Sequence, residues 1–125
     1  MRLLPETDLL VVNEIEAAAL SDMLGAPAEE AGIPHLVVTR GSDGADYDGI
    51  AGSFHVPAFS VTPVDTTGAG DCFFGYLLAA MAADRPVEQA LAEASAAAAI
   101  QVTRPGASAA IPDRGEMNEY LAANQ

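Results

Sequence analysis

Between Val64 and Tyr76 the chain reads Val-Asp-Thr-Thr-Gly-Ala-Gly-Asp-Cys-Phe-Phe-Gly-Tyr, an extended lead-in, two close glycines, a carboxylate and then a helical pattern. Amides in the first turn of a helix have no acceptor within it and lie at the positive end of its dipole. Gly68, Ala69 and Gly70 can therefore direct donors at an anion such as a phosphate. Asp71 then stands beside the bound anion, placed to take a proton from an acceptor hydroxyl. A general base of this kind contributes roughly 10² to 10⁴ in rate, while positioning and electrostatics carry most of phosphoryl transfer. The competing reading of an isolated Gly-Ala-Gly-Asp is a glycine turn with Asp71 as a capping carboxylate.

Positioning such a site requires a scaffold. Leu9-Leu10-Val11-Val12 is a continuous apolar run that suits a strand buried on both faces. Glu14 to Leu24 has helical periodicity, with Ile15, Ala18, Ala19 and Met23 on one side, and Gly25 stops it. Pro27 to Ala31 can form a helical turn. Leu36 to Thr39 reads as the next buried strand, and Gly41-Ser42-Asp43-Gly44 as a turn at its carboxyl end, the edge where ligands gather in open α/β sheets. Ala45 to Tyr47 and Ser53 to Val56, joined by 48–52, suggest a hairpin. Val61 to Asp65 is the strand-like lead-in. Gly70 to Ala83 is apolar nearly all round, as in a helix packed deep against a sheet. Val87 to Val102 is a second, alanine-rich helix, 104–112 a loop, and Arg114 to Ala122 an amphipathic helix with Met117, Tyr120 and Leu121 inward. Alternating strands and helices predict an α/β layered fold with a mostly parallel sheet flanked by helices.

Four spaced motifs carry a resemblance. Asp65-Thr66-Thr67-Gly68-Ala69-Gly70-Asp71-Cys72-Phe73-Phe74-Gly75-Tyr76-Leu77 is similar to the C-terminal signature of the ribokinase-like (phosphofructokinase-B type) carbohydrate kinases. Asn13-Glu14-Ile15-Glu16 is similar to that family's N-x-x-E, and Val38-Thr39-Arg40-Gly41-Ser42-Asp43-Gly44-Ala45 to its nucleotide loop. Val102-Thr103-Arg104-Pro105-Gly106-Ala107 is similar to the segment that closes its nucleotide and monovalent-cation sites.

The resemblance implies the C-terminal portion of a ribokinase-like fold, with residues 1–125 forming one nucleotide-binding and catalytic domain. It implies ATP-dependent phosphorylation of a hydroxymethyl group on a sugar-like molecule, ribose by default, with Asp71 as base and the Gly68 to Gly70 amides as anion hole. Thr39, Arg40, Gly41, Ser42, Asp43 and Gly44 would wrap the nucleotide, and Ser95 would border the adenine. Asn13 and Glu16 would organise water and Mg²⁺, although Asn13 as N-cap with Glu16 completing a capping box is the plainer reading and is compatible with it. Asp65 and Thr67, with backbone oxygens near Gln101, Arg104 and Gly106, would hold K⁺. Ala110 departs from the family there, where a hydroxyl side chain can serve. The chain is also short between Gly25 and Pro34, where the family places a crossover helix. There is no Gly-Lys-Ser/Thr, so the loop is not a Walker A motif.

A chain of 125 residues is long enough to bury roughly two-thirds of its unfolded surface. The resemblance implies a family more than twice as long, so the half that supplies most sugar contacts is expected to be absent. A nucleotide-binding module without turnover is the alternative function, and a purely structural partner subunit is a third; a homodimer is one assembly left open. Net charge is −13 and all five basic residues are arginines, which argues against nucleic acid or anionic membrane as partner. Any nucleotide site must then act locally. The single cysteine, Cys72, excludes an internal disulfide and points to the cytoplasm, as a small buried residue behind the anion site. No signal peptide or membrane span is legible. His35 and His55 are isolated and read as structural or surface residues.

Overall fold

A computed structural model of the chain describes residues 2–4, 9–30, 32–66, 68–105 and 111–124. The residues group into two compact units, Met1–Pro57 and Ala58–Gln125.

The first unit is a sheet with a helix on it. Five strands, β1 (Arg2–Leu4), β2 (Leu9–Asn13), β3 (His35–Thr39), β4 (Ala45–Gly49) and β5 (Gly52–Val56), lie in the order β1-β2-β3-β4-β5. Only β2 and β3 pair in parallel; the other three pairings are antiparallel. The expected α/β character holds, but a mostly parallel sheet does not form within this chain. The cause is connection length: parallel neighbours need a crossover, which 14–34 supply once, whereas β3, β4 and β5 are joined by short turns that reverse the chain. The hairpin is tighter than expected, with strands running to Gly49 and Gly52 around Ile50 and Ala51. Gly49 is obligatory there, because a Cβ would come within 2.2 Å of the Pro34 carbonyl oxygen, which itself accepts the Ile50 amide at 2.9 Å.

Helix α1 (Glu14–Leu24) has the expected limits, and Gly25 ends it in the left-handed conformation at φ 71°. Its inward face differs. Ala17 and Leu20 pack against Leu10, Val12, Ala28, Leu36 and Val38, while Ile15 and Met23 are 82% and 83% exposed. The apolar stripe through Ile15, Ala18, Ala19 and Met23 is thus the outer one, because the capping geometry at Asn13 fixes which residues meet the sheet. A single 3-10 turn, Ala28–Glu30, occupies the shortened connection.

Among the described residues the second unit has three helices, α2 (Ala69–Ala82), α3 (Val87–Val102) and α4 (Arg114–Asn124). The expected order of depth is reversed. In α2 burial falls on one stripe, Cys72, Phe73, Leu77 and Ala80, whereas α3 is buried along most of its surface from Ala90 to Gln101. Alanine explains this, since its small side chain lets a helix be approached closely from several directions. Ala96 and Ala97 form a cluster with Cys72 and Met117, bordered by Phe59, Tyr76, Tyr120 and Leu121. Phe59 meets Tyr120 edge to face at 5.3 Å. The lead-in at 61–65 is not a strand. Pro63 lacks a donor, and the Val64 and Asp65 amides both go to the Val102 carbonyl, at 2.6 and 3.0 Å, so no ladder remains to be made. Among the described residues no helix is long and apolar enough to cross a membrane.

Candidate functional site

In the first unit the two parallel strands end side by side, with Asn13 opposite Thr39. Thr39 Oγ1 donates to the Val12 carbonyl at 3.3 Å, tying the two strand ends together. Asn13 caps α1 by accepting the Glu16 amide at 2.8 Å, and Glu16 returns a carboxylate oxygen to the Asn13 amide at 3.0 Å. The capping box therefore forms, and it fixes both side chains at the carboxyl edge of the sheet. Residues Gly41–Asp43 make a 3-10 turn at that same edge. Asn13, Glu16, Thr39 and the 40–44 loop are thereby brought together.

The loop keeps several of its donors for itself. The Arg40 amide donates to the Gly44 carbonyl at 2.7 Å, that of Asp43 to Arg40 at 3.0 Å, and that of Gly44 to Gly41 at 3.2 Å. The amides of Gly41 and Ser42 open the turn, and Ser42 is exposed. Gly44, at φ 92° and ψ −148°, occupies backbone space open to glycine almost alone.

Arg40 is not a spare charge. Its Nε donates to Asp46 at 2.6 Å and its Nη1 to Glu14 at 3.2 Å, while the other Asp46 oxygen meets His55 Nδ1 at 2.6 Å. Hydrogen bonding to Asp46 raises the Arg40 pKa despite partial burial. His55 and then Arg40 hold the Asp46 carboxyl below its ordinary 3.8. The folded chain therefore takes up this proton less readily than the unfolded one. The resulting stabilisation is present above about pH 4 and is lost as pH falls below it. Asp46→Asn is accordingly expected to lower the urea midpoint at pH 7 and to flatten its decline between pH 5 and 2; an unchanged acid limb would count against this clamp. His35 is likewise structural, bonded through Nδ1 to the buried Tyr47 hydroxyl at 2.6 Å.

In the second unit Gly68 caps α2 at φ 77° and ψ 3°, a left-handed conformation that favours glycine. The Cys72 amide closes the first helical bond onto the Gly68 carbonyl at 2.9 Å. The Ala69 amide bends back to the Thr66 carbonyl at 3.2 Å, so it is occupied rather than offered to an anion. Gly70 follows at the second helical position, where an amide has no acceptor inside the helix, and a Cβ added there would meet nothing within 4 Å. Asp71 is exposed on the first turn, with the buried Cys72 and Phe73 behind it anchoring the helix start. Burial raises the Cys72 thiol to about 11, which keeps it neutral and unreactive at physiological pH.

Asp65 is held at the end of α3 by the bond of its amide to the carbonyl of Val102, the last residue of that helix. Gln101 is buried there, and its carbonyl accepts the Arg104 amide at 3.0 Å. Asp65, Gln101 and Arg104 therefore lie together at the C-terminal end of α3. The Arg104 side chain pairs with Glu116. Thr67, Gly106 and Ala110 lie outside the described residues. Ser95 is buried in α3 rather than on a helix surface. Among the described residues no three His, Cys, Asp or Glu side chains gather as a metal cluster.

Two features escape sequence reasoning. One is the clamp of Arg40 by Glu14, Asp46 and His55, which depends on strand register. The other is Glu93, 3% exposed, whose carboxylate receives Arg85 at 3.0 Å, Arg114 at 2.8 Å and Gln89 at 3.1 Å. A carboxylate well inside an alanine-rich helix, beyond the Glu88 of its first turn, is a signal for such a partner-rich site, because an unpaired charge is not buried.

Comparison with known proteins bears on both units. The pfkB family carbohydrate kinase profile matches residues 1–114. The chain is 38% identical over 114 residues to the ribokinase of Bacillus subtilis, a match covering 90% of this chain and 39% of that protein. It superposes on the crystal structure of Thermotoga maritima ribokinase with a TM-score of 0.84 and 38% identity, over 92% of this chain and 42% of that one. It also matches a protein described as a ribokinase II from E. coli, solved with ATP and Mg²⁺, with a TM-score of 0.83 and 32% identity, over 93% and 39% of the respective chains. The chain thus spans about two-fifths of the length of these relatives. With the family profile extending over all but its last residues, and the ribokinase fold reproduced, this chain belongs to the pfkB family of carbohydrate kinases.

Proposed function

We propose that residues 1–125 form the nucleotide-binding and catalytic portion of an ATP-dependent sugar kinase that phosphorylates a hydroxymethyl group. The observation that carries this reading is the start of α2, where a left-handed Gly68, an unobstructed Gly70 and an exposed Asp71 follow one another. Asp71 takes the proton of the acceptor hydroxyl. That oxygen bonds to the γ-phosphorus as the bond to the β,γ-bridging oxygen breaks, and ADP leaves. The Gly68 and Gly70 amides donate to the oxygens on which charge grows. Thr39, Gly41, Ser42 and Gly44 bind the nucleotide, with Arg40 and Asp43 shaping the loop and Ser95 standing behind the adenine. Glu16 and Asn13 suit Mg²⁺, which takes few protein oxygens and keeps its waters; when bound, it neutralises phosphate charge. Asp65, Thr67 and backbone oxygens near Gln101, Arg104 and Gly106 hold K⁺, since a carbonyl that accepts one amide, as Gln101 does, retains a second lone pair.

Gly70→Ala tests the anion hole. Alanine is favoured over glycine in a helix by up to about 1 kcal/mol, so the urea midpoint is expected to stay equal or rise. Turnover, in contrast, is expected to fall at least about tenfold as the methyl enters the phosphoryl position. Retained turnover would remove the anion-hole assignment.

A second reading is a nucleotide-binding module without turnover, favoured by the meeting of Asn13, Glu16, Thr39 and the 41–43 turn at one sheet edge. Calorimetric titration with ATP and Mg²⁺, beside an assay of sugar-dependent ADP release, separates the two. Binding without release marks the module.

A further inference from the structure

The 40–44 loop is the closed end of a hairpin. Thr39 lies opposite Ala45 in the register of β3 and β4, and the Arg40 amide carries the ladder one rung further onto the Gly44 carbonyl at 2.7 Å. The Asp43 amide then returns to the Arg40 carbonyl and that of Gly44 to Gly41. Each of these bonds begins or ends on Arg40 or Gly44, so the place of Arg40 sets the place of the 41–43 turn.

The Arg40 side chain is gripped from two sides. Val38, which packs beneath Ala17 and Leu20 of α1, lies opposite Asp46, and Asp46 lies opposite His55. Directly opposed residues share a sheet face, so Asp46 and His55 stand on the face that carries α1. Arg40 reaches Asp46 through Nε at 2.6 Å and Glu14, the first residue of α1, through Nη1 at 3.2 Å. His55 Nδ1 meets the other Asp46 oxygen at 2.6 Å. A chain of contacts thus runs from β5 through β4 to the loop and on to the helix that Asn13 caps. The Arg40 and Asp46 side chains are 34% and 33% exposed, a setting in which one ion pair adds little to global stability. Two carboxylates converging on one planar guanidinium do, however, fix where it lies.

We propose that Asp46, with Glu14, is a positioning residue of the nucleotide site, acting through Arg40 to hold the 41–43 turn where it meets a phosphate. The assignment rests on the reading of this loop as the nucleotide site and adds two residues to it. It also carries a sign. Glu14, Asp43 and Asp46 are all acidic, so if charge alone governed, removing one carboxylate would tighten the binding of an anionic nucleotide. A positioning role requires the opposite.

Calorimetric titration of the whole chain with ADP and Mg²⁺ at pH 7 and fixed ionic strength tests it. Asp46→Asn is expected to weaken ADP at least about fivefold, part of what a charge-assisted hydrogen bond supplies. Glu14→Gln is expected to weaken it less, and Asp46→Glu to recover part of the loss. In an Arg40→Gln background Asp46→Asn is expected to add nothing, because the two side chains act as one. Tyr47→Phe is the stability control. It removes a bond to His35 Nδ1 on the other face of β4, and is expected to lower the urea midpoint while keeping the ADP affinity. Hydrogen exchange reads the turn without nucleotide: in Asp46→Asn the Asp43 and Gly44 amides are expected to lose protection, and those of Val12 and Val38 to keep it. An ADP affinity that Asp46→Asn leaves unchanged or tightens, or an equal loss in Tyr47→Phe, would overturn the positioning role alone. Failure of the unaltered chain to bind ADP would remove the nucleotide reading and the positioning role with it.

Discussion

Asp71→Asn is expected to lower kcat by about 10² to 10⁴, the range a positioned general base supplies, while leaving the affinity for ATP and Mg²⁺ within about twofold. The asymmetry follows from geometry. Asp71 sits at the third residue of α2, and its backbone is held from behind by Cys72 and Phe73 and by the Cys72 amide bond to Gly68. Asparagine preserves the shape and the helix start but cannot accept the proton. A carboxylate that merely supports the helix start by its charge would behave differently: replacement by asparagine would lose that interaction with the helix dipole, about 0.3–1 kcal/mol, and leave kcat alone. Comparing kcat with the urea midpoint in one variant therefore separates the two roles.

The second large effect concerns Glu93. Removing both arginines, as in Arg85→Met with Arg114→Met, leaves a carboxylate that is 3% exposed and, among the described side chains, bonded to Gln89. A buried charge stripped of its partners costs about 3–5 kcal/mol, which in a unit of this size corresponds to a fall in Tm of roughly 12–40 °C. Glu93→Gln is expected to cost less, because the arginine side chains, 32% and 40% exposed, can turn to water. Thermal unfolding of the two variants checks the order. A Glu93→Gln variant less stable than the double arginine variant would show that the guanidinium groups, not the carboxylate, are the costly partners.

Where one local rule decided the outcome, the sequence was legible. The limits of α1 follow from Asn13 and Gly25, which set the cap and the stop, and α3 runs from Val87 to Val102 as its alanine pattern indicates. The capping box at Asn13 and Glu16 and the glycine turn before Asp71 are equally local. What escaped depends on contacts distant in the chain. Ile15 and Met23 look like an inward stripe until Ala17 and Leu20 are seen to meet the strands. Val61 to Asp65 looks extended until the Val102 carbonyl takes its amides. Arg40 reads as a phosphate ligand until the register of β4 and β5 places Asp46 and His55 beside it. Ala69, within the expected anion hole, spends its amide on Thr66, which no pattern of residue types reveals.

The most direct measurement is a ³¹P NMR spectrum of the chain incubated with ATP, Mg²⁺ and a sugar bearing a free hydroxymethyl group. The expected result is a new phosphomonoester resonance coupled to methylene protons, growing as ADP appears and absent for Asp71→Asn. ATP binding without that resonance, or release of inorganic phosphate alone, would contradict the assignment of Asp71 and the Gly68 to Gly70 turn as a sugar phosphorylation site.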